Sequence, residues 1–400
     1  MCAFQKQDEE APLLPFQIAI DDAALADLKR RLGAARLPAN DGSGDWEDGT
    51  SPRYLRELVD YWRGAFDWRA QEAALNRFHH LRGEVDGTML HLIHERGRGP
   101  RPLPILLIHG YPDSFWRFIK LIPLLADPGA HGGDPADSFD VVVPSLPGYA
   151  FSQARPQAGG AFGWGDLLHA LMTAKLGYER FAAHGGDWGG VVIESLARSH
   201  ASSLAGIHFT DVPFFHIFQK PDDDELSAAE KKFFEENAAW QRDEGAYAMI
   251  QGTRPTSLGP AMNDSPAGLA AWLAEKFRLW SDCGGEVERR FSKDELLTNI
   301  SLYWLTGTIE SAFQPYRDFM KAGALRWTKE WIRGQLGSDR TLAAFARFPA
   351  DISHPPREWA ERFFNVRRWT EMPSGGHFAA FEEPQILAED IRAFFRPMRR

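Results

Sequence analysis

The stretch HGGDWGG, residues 184–190, lies between the short apolar run FAA (181–183) and VVIESLARSHA (191–201), which has helical spacing. A buried strand, a glycine-rich turn and a helix follow one another within about twenty residues. The same first four letters occur at 131–134, inside AHGGDPADSFD. There Pro128, Gly129, Pro135 and Asp137 crowd the motif, and a proline directly follows its aspartate. That copy reads as a loop.

Working outward, the strand signature repeats. RPLPILLIHGYP (101–112) and FDVVVPSLPGYAFS (139–152) are apolar runs that end in glycine-containing turns, and LAGIHFTDVP (204–213) is a further one. The helical segment FGWGDLLHALMTAKLG (162–177) separates the second run from FAA. Such alternation implies parallel βαβ units with strands buried on both faces. Upstream, GEVDGTMLHLIHERG (83–97) carries a DG turn between alternating runs, a hairpin signal. Helical stretches are expected at 22–36 and 53–78. Residues 214–322 read as mostly helical, and strand patterns return near 340 and in RRWTEMPSGGHF (367–378). The expected organisation is an N-terminal extension with the first hairpin strands (1–97), a first part of the sheet (98–213), a helical cap inserted after the sixth strand (214–322) and a second part of the sheet (323–400). GPAMNDSPAG (259–268) and residues 128–138 read as loops.

Composition narrows the function classes. The net charge is −10 with no basic stripe, which argues against nucleic acid. Cys2 and Cys283 are the only cysteines, too few for a disulfide framework or a zinc site, and they fit a reducing compartment. The N-terminus resembles neither a signal peptide nor a membrane anchor, and no segment is long and apolar enough to span a bilayer. A cytoplasmic protein is expected. Its oligomeric state is open, a homodimer included. His91 and His94 in HLIH face opposite sides of a strand, so no metal is expected there.

In Gly185-Gly186-Asp187-Trp188-Gly189 the pattern is small-x-nucleophile-x-small, the mark of the sharp strand-to-helix turn of the α/β-hydrolase fold. The nucleophile there holds a strained backbone, so its neighbours two residues away must lack bulk. Taken alone, Asp187 also fits a cap of the following helix, the lesser reading. As a nucleophile, a carboxylate is poor at acyl centres. It is suited to saturated electrophilic carbon, where it gives an alkyl ester. That points to epoxides or alkyl halides.

The remaining members follow in the order nucleophile, acid, histidine. Beyond residue 208 the histidines are His216, His354 and His377, and His377 lies in a glycine loop after the last strand pattern, where a general base belongs. For the acid, Asp351 in FPADIS is favoured over Asp211 in HFTDVP. Its work is to hold the imidazole tautomer and stabilise the imidazolium. The backbone N–H groups of Tyr111, in HGYP, and Trp188 are expected to form an oxyanion hole.

Taken together, HGYPDSFW, LPGYAFS, HGGDWGG, LLTNISLYWLTGTIESAFQPY and GGHFAAFEEP resemble the microsomal-type epoxide hydrolases, and the likeness runs from about residue 13 to the end. Two departures stand out: this chain shows no N-terminal anchor like that of the mammalian members, and Asp351 stands where those have Glu. The resemblance implies a small hydrophobic epoxide and water as reactants, no cofactor and no metal. It also implies two cap tyrosines that bind the epoxide oxygen. Of Tyr247, Tyr303 and Tyr316 in the helical block, Tyr247 and Tyr316 match that pair, and Tyr303 reads as core or pocket wall. A phenol stays protonated at neutral pH and can donate to an alkoxide. A haloalkane dehalogenase and an inactive binding protein of the same fold are the rival readings.

Overall fold

The structure is a computed structural model that describes residues 11–38, 45–155, 160–321 and 338–399. Among the described residues nine strands form one sheet: β1 Leu14–Pro15, β2 His80–Val85, β3 Thr88–Glu95, β4 Leu103–Ile108, β5 Phe139–Pro144, β6 Phe181–Gly185, β7 Leu204–Phe209, β8 Ser338–Arg347 and β9 Phe364–Glu371. Their spatial order is β1-β2-β3-β5-β4-β6-β7-β8-β9. The β1-β2-β3-β5 edge is antiparallel, and every pair from β5 through β4 to β9 is parallel. β5, β6 and β7 are buried along their whole length, as strands covered on both faces must be. The DG turn of the β2–β3 hairpin forms as expected. Asp86 and Gly87 both take positive φ, 44° and 71°, which matches the twist of the flanking strands.

Parallel strands deliver their following loops to one edge of the sheet. Tyr111 follows β4, Asp187 follows β6, Asp211 follows β7, Asp351 follows β8 and His377 follows β9. All the sequence-predicted core residues of the site therefore come to one edge. The helical block begins after β7, which is the sixth strand once the two-residue β1 is set aside. Its main helices are Ala228–Glu244, Ala246–Thr253, Pro255–Asp264, Pro266–Leu279, Lys293–Thr306 and Gln314–Lys321. The expected boundary at 322–323 lies outside the described residues.

The N-terminal extension braces this block. Trp62 donates its indole N–H to Ser301 Oγ at 3.0 Å, Tyr61 its hydroxyl to Asp294 Oδ1 at 3.0 Å, and Arg31 a guanidinium N–H to Asp264 Oδ1 at 2.8 Å. The amphipathic helix Pro52–Gly64 buries Leu55, Leu58, Val59 and Trp62 in this contact layer.

Two expectations need correction. The 53–78 stretch is not one helix but two, Pro52–Gly64 and Trp68–Leu75. Asp67 starts the second by accepting the Ala70 N–H at 3.2 Å, a cap inside what reads as continuous periodicity. GPAMNDSPAG is not a loop. It carries the end of Pro255–Asp264, including Pro260, and the start of Pro266–Leu279, which Ser265 caps through the Gly268 N–H. Burial of Met262, Ala267 and Leu269 outweighs the turn-forming composition of the segment. No helix among the described residues is long and apolar enough to cross a membrane.

Candidate active site

Asp187 sits at the β6-to-helix turn with φ 54° and ψ −133°, a strained conformation for a residue with a Cβ. Close packing makes the flanking glycines obligatory. A Cβ on Gly189 would lie 2.2 Å from the Ile108 carbonyl oxygen, and one on Gly110 would lie 2.3 Å from Asp187 Oδ1. The second HGGD copy has none of this. His131 ends a single 3₁₀ turn, Gly132 closes it in the left-handed region, and Asp134 caps another such turn at the surface.

The Asp187 carboxylate is held on one side only. The backbone N–H groups of Tyr111 and Trp188 both donate to Oδ1, at 2.9 Å and 2.7 Å. The other oxygen, Oδ2, stands 3.7 Å from His377 Nε2. His377 Nδ1 is 2.8 Å from Asp351 Oδ1, which also accepts the Ile352 N–H at 2.7 Å. Asp187, His377 and Asp351 are all buried, and His377 Nε2 has no hydrogen-bond partner among the described residues. Asp211 is close by but makes a different contact: its Oδ2 accepts the Asp187 N–H at 3.2 Å. Of the two candidate acids, it is Asp351 that meets the histidine.

Burial raises the Asp187 carboxyl above its ordinary range, against the pull of His377 and the two backbone N–H groups. His377 shows the opposite balance. Burial disfavours its charge, but the Asp351 carboxylate and its hydrogen bond outweigh burial and raise the imidazole. Burial likewise works against Asp351, and the charge and hydrogen bond of His377 hold its carboxyl below the usual value.

Tyr247 and Tyr316 come from two helices of the block, Ala246–Thr253 and Gln314–Lys321. Their ring centroids are 5.9 Å apart, and the Tyr316 ring meets Trp188 edge-on at 5.0 Å. With Asp187 they line a cavity of about 250 Å³ whose other walls include Trp188, Phe214, Trp240 and Phe319. Burial, with the nearby Asp187 charge, pushes both phenols well above their ordinary value, so both stay protonated donors. Tyr303 is not with them. It is buried, and its hydroxyl donates to the Asp113 carbonyl at 2.7 Å. The other histidines are elsewhere: His216 pairs with Glu194, and His354 with the Pro349 carbonyl. His91 and His94 diverge toward Ser145 and Tyr178.

Sequence reasoning missed the brace behind the HGYP turn. Asp113 Oδ1 accepts the Gly110 N–H at 3.1 Å, and its Oδ2 is 2.8 Å from Arg117 Nη1. Arg117 in turn donates to the His377 carbonyl. Asn299 donates to the Pro112 carbonyl at 2.9 Å. The Tyr111 hydroxyl accepts from Gln251 and Trp272, so the residue that supplies a backbone donor is also anchored to the helical block. The only signal in the chain was the position of Asp113 directly after HGYP; the contact of Arg117 with the His377 carbonyl, which completes the brace, spans 260 residues.

Residues 13–118 match the family model of the epoxide hydrolase N terminus, and residues 104–396 that of the alpha/beta hydrolase fold. The chain is 41% identical, over 97% of its length and 86% of the relative's, to a protein of Stigmatella aurantiaca whose name assigns it provisionally to the epoxide hydrolases. It is 36% identical to epoxide hydrolase 1 of Sus scrofa, over 96% and 89% of the two chains. Among solved structures, the Aspergillus niger epoxide hydrolase superposes with a TM-score of 0.82 at 29% identity, covering 98% and 97% of the chains. Neither the dehalogenase nor the inactive binding protein finds support in these likenesses. With both family models matched and relatives aligned along nearly its whole length, the chain belongs to the epoxide hydrolase family and carries the α/β-hydrolase fold.

Proposed function

We propose that Asp187 opens the ring of a small hydrophobic epoxide and that His377 directs water onto the resulting ester. The single observation that carries this reading is the asymmetry of the Asp187 carboxylate. Two N–H donors occupy Oδ1, while Oδ2 has none among the described residues and faces the histidine. Oδ1 is then the future carbonyl oxygen, and Oδ2 is the nucleophile.

In the first half-reaction Oδ2 attacks one epoxide carbon and the carbon–oxygen bond of the ring breaks. The alkoxide that forms takes a proton from the Tyr247–Tyr316 pair. Ester formation also consumes the Asp187 charge, one of the influences that holds those phenols high, so the tyrosines become better acids as the proton is needed. In the second half-reaction His377, oriented by Asp351, takes a proton from water, and hydroxide adds to Cγ of Asp187. The tetrahedral oxyanion forms on Oδ1, where the Tyr111 and Trp188 N–H groups already point. Collapse breaks the Cγ–Oδ2 bond. The vicinal diol leaves with that oxygen and takes the proton from the imidazolium, Asp187 releases the remaining proton of the added hydroxide to solvent, and the phenol recovers its own from solvent.

In the same reading, residues 214–322 act as a cap that supplies the tyrosines and most of the cavity wall. The scarcity of cysteine supports a cytoplasmic setting. The test is His377→Gln mixed with styrene oxide. Intact-protein mass should rise by one substrate mass, on the peptide that contains Asp187. A variant that neither gains mass nor slows would sink the assignment of both residues.

A further inference from the structure

Asp211 is a partly buried carboxyl that the scheme above does not use. It follows β7, lines the cavity shared by Asp187, Tyr247 and Tyr316, and holds the nucleophile's own backbone through the Asp187 N–H. Its second oxygen, Oδ1, is buried without a hydrogen-bond partner among the described residues. The groups that face it are the carboxylates of Asp351 and Asp187 and the imidazole of His377. Arg117 lies behind Asp351, and the two phenols close the cavity from the helical block.

Charge counting decides the state of this carboxyl. With Asp187 and Asp351 ionised and His377 protonated, the cluster carries one net negative charge. Ionising Asp211 as well would place a third carboxylate in the same water-poor volume against one cation, which is costly at low dielectric. An acceptor contact to an N–H needs only one oxygen and no charge.

We propose that Asp211 is a positioning residue that works as the neutral acid, with Oδ2 accepting the Asp187 N–H and the proton carried on the buried Oδ1. It fixes the strained nucleophile backbone without adding a repelling charge beside the carboxylate that must attack. Consistent with this, burial and the facing Asp351 charge push the Asp211 carboxyl up to about 7. Above that pH the hydroxyl donor is lost and a second negative charge appears.

This inference rests on Asp187 being the nucleophile, and its test separates the two. Asparagine reproduces the neutral acid: one acceptor oxygen and one donor in place of the hydroxyl. Asp211→Asn, Asp211→Ala and the unaltered chain are compared by single-turnover ester formation on styrene oxide across pH, in the His377→Gln background so that the ester is counted on Asp187. The Ala variant should form the ester on the order of tenfold more slowly, because it releases the nucleophile backbone. The Asn variant should recover most of that loss. The chain with Asp211 intact should slow as pH rises through the Asp211 titration, which loss of the His377 charge moves above about 7, and the Asn variant should not. An Asn variant as slow as Ala would show that Asp211 works as the anion. An alkaline decline that survives in Asn, or an Ala variant with no loss, would equally overturn the proposal. An ester absent from Asp187 in every variant would instead overturn the nucleophile assignment.

Discussion

His377 faces Asp187 without bonding to it: Nε2 stands 3.7 Å from Oδ2. A serine nucleophile must surrender a proton to its histidine and so sits within hydrogen-bond reach of it. An aspartate is already ionised and needs no such contact. The imidazole is thereby left for the second half-reaction, with Nδ1 fixed on Asp351 at 2.8 Å and Nε2 free to take a proton from water.

That arrangement makes a pH prediction. His377 is raised above its ordinary value by Asp351 and, to a lesser degree, by Asp187. The base must be neutral to act, so hydrolysis fails as pH falls through its pKa. Alkylation removes the Asp187 charge and one of the influences that raise the imidazole. The acid limb of ester hydrolysis in single turnover should therefore lie below the His377 pKa measured by NMR in the free protein. Limbs in the reverse order would mean that Asp187 keeps its charge during turnover.

In the proposed scheme the two phenols divide one task. Tyr247→Phe or Tyr316→Phe should each lower kcat/KM for epoxide by roughly tenfold to a hundredfold, and the double variant by more than about a thousandfold. The slow step should be ester formation, with the decay of a preformed ester little altered. Single variants that slow only ester decay would place the tyrosines in the wrong half-reaction.

The brace at Asp113 predicts a stability cost. Asp113→Ala would leave Arg117 buried beside a lost partner and free the Gly110 N–H. Removing one member of a buried ion pair typically costs about 3–5 kcal/mol. Urea unfolding should show that loss, with ester formation slowed because the Tyr111 donor is no longer held. A variant of unchanged stability would mean that the Asn299 and Tyr303 contacts carry the turn by themselves.

Several buried histidines predict acid sensitivity. Burial lowers His91 and His184 well below their ordinary value, and His94 and His109 to about 4. In the unfolded chain such groups take up protons below about 6.5. Folding then excludes protons between those two values, so stability is full above the unfolded pKa and is lost as pH falls through the window. For fully buried His109 the loss is on the order of a few kcal/mol by pH 4. The urea midpoint should fall steeply between about pH 6.5 and 4, and less so in His109→Gln. A flat midpoint over that range would contradict the assignment of these rings as neutral.

What was legible in the chain was local. The strand–GGDWGG–helix sequence carries its own geometry, because Gly185 and Gly189 flank a position that only a strained turn needs. The DG hairpin and the apolar runs of β4 to β7 likewise announce themselves within a few residues. The choice between Asp351 and Asp211 was less legible, since both follow strands of the same sheet. Only their approach to His377 or to the Asp187 backbone separates them. Least legible were contacts made across the chain, such as Arg117 on the His377 carbonyl or Gln251 on Tyr111. Neither leaves a periodic or compositional trace. Pro260 inside a helix shows the converse: strong local turn chemistry yielding to burial of its neighbours.

The central claim is that a covalent ester on Asp187 lies between epoxide and diol. A single turnover in ¹⁸O-water with excess protein tests it directly, followed by peptide mass analysis and analysis of the diol. Water adds to Cγ and the diol leaves with Oδ2, so the label should enter Asp187 and the first diol should be unlabelled. Label found directly in the first diol, with Asp187 unchanged, would show that water attacks the epoxide itself and would contradict the account.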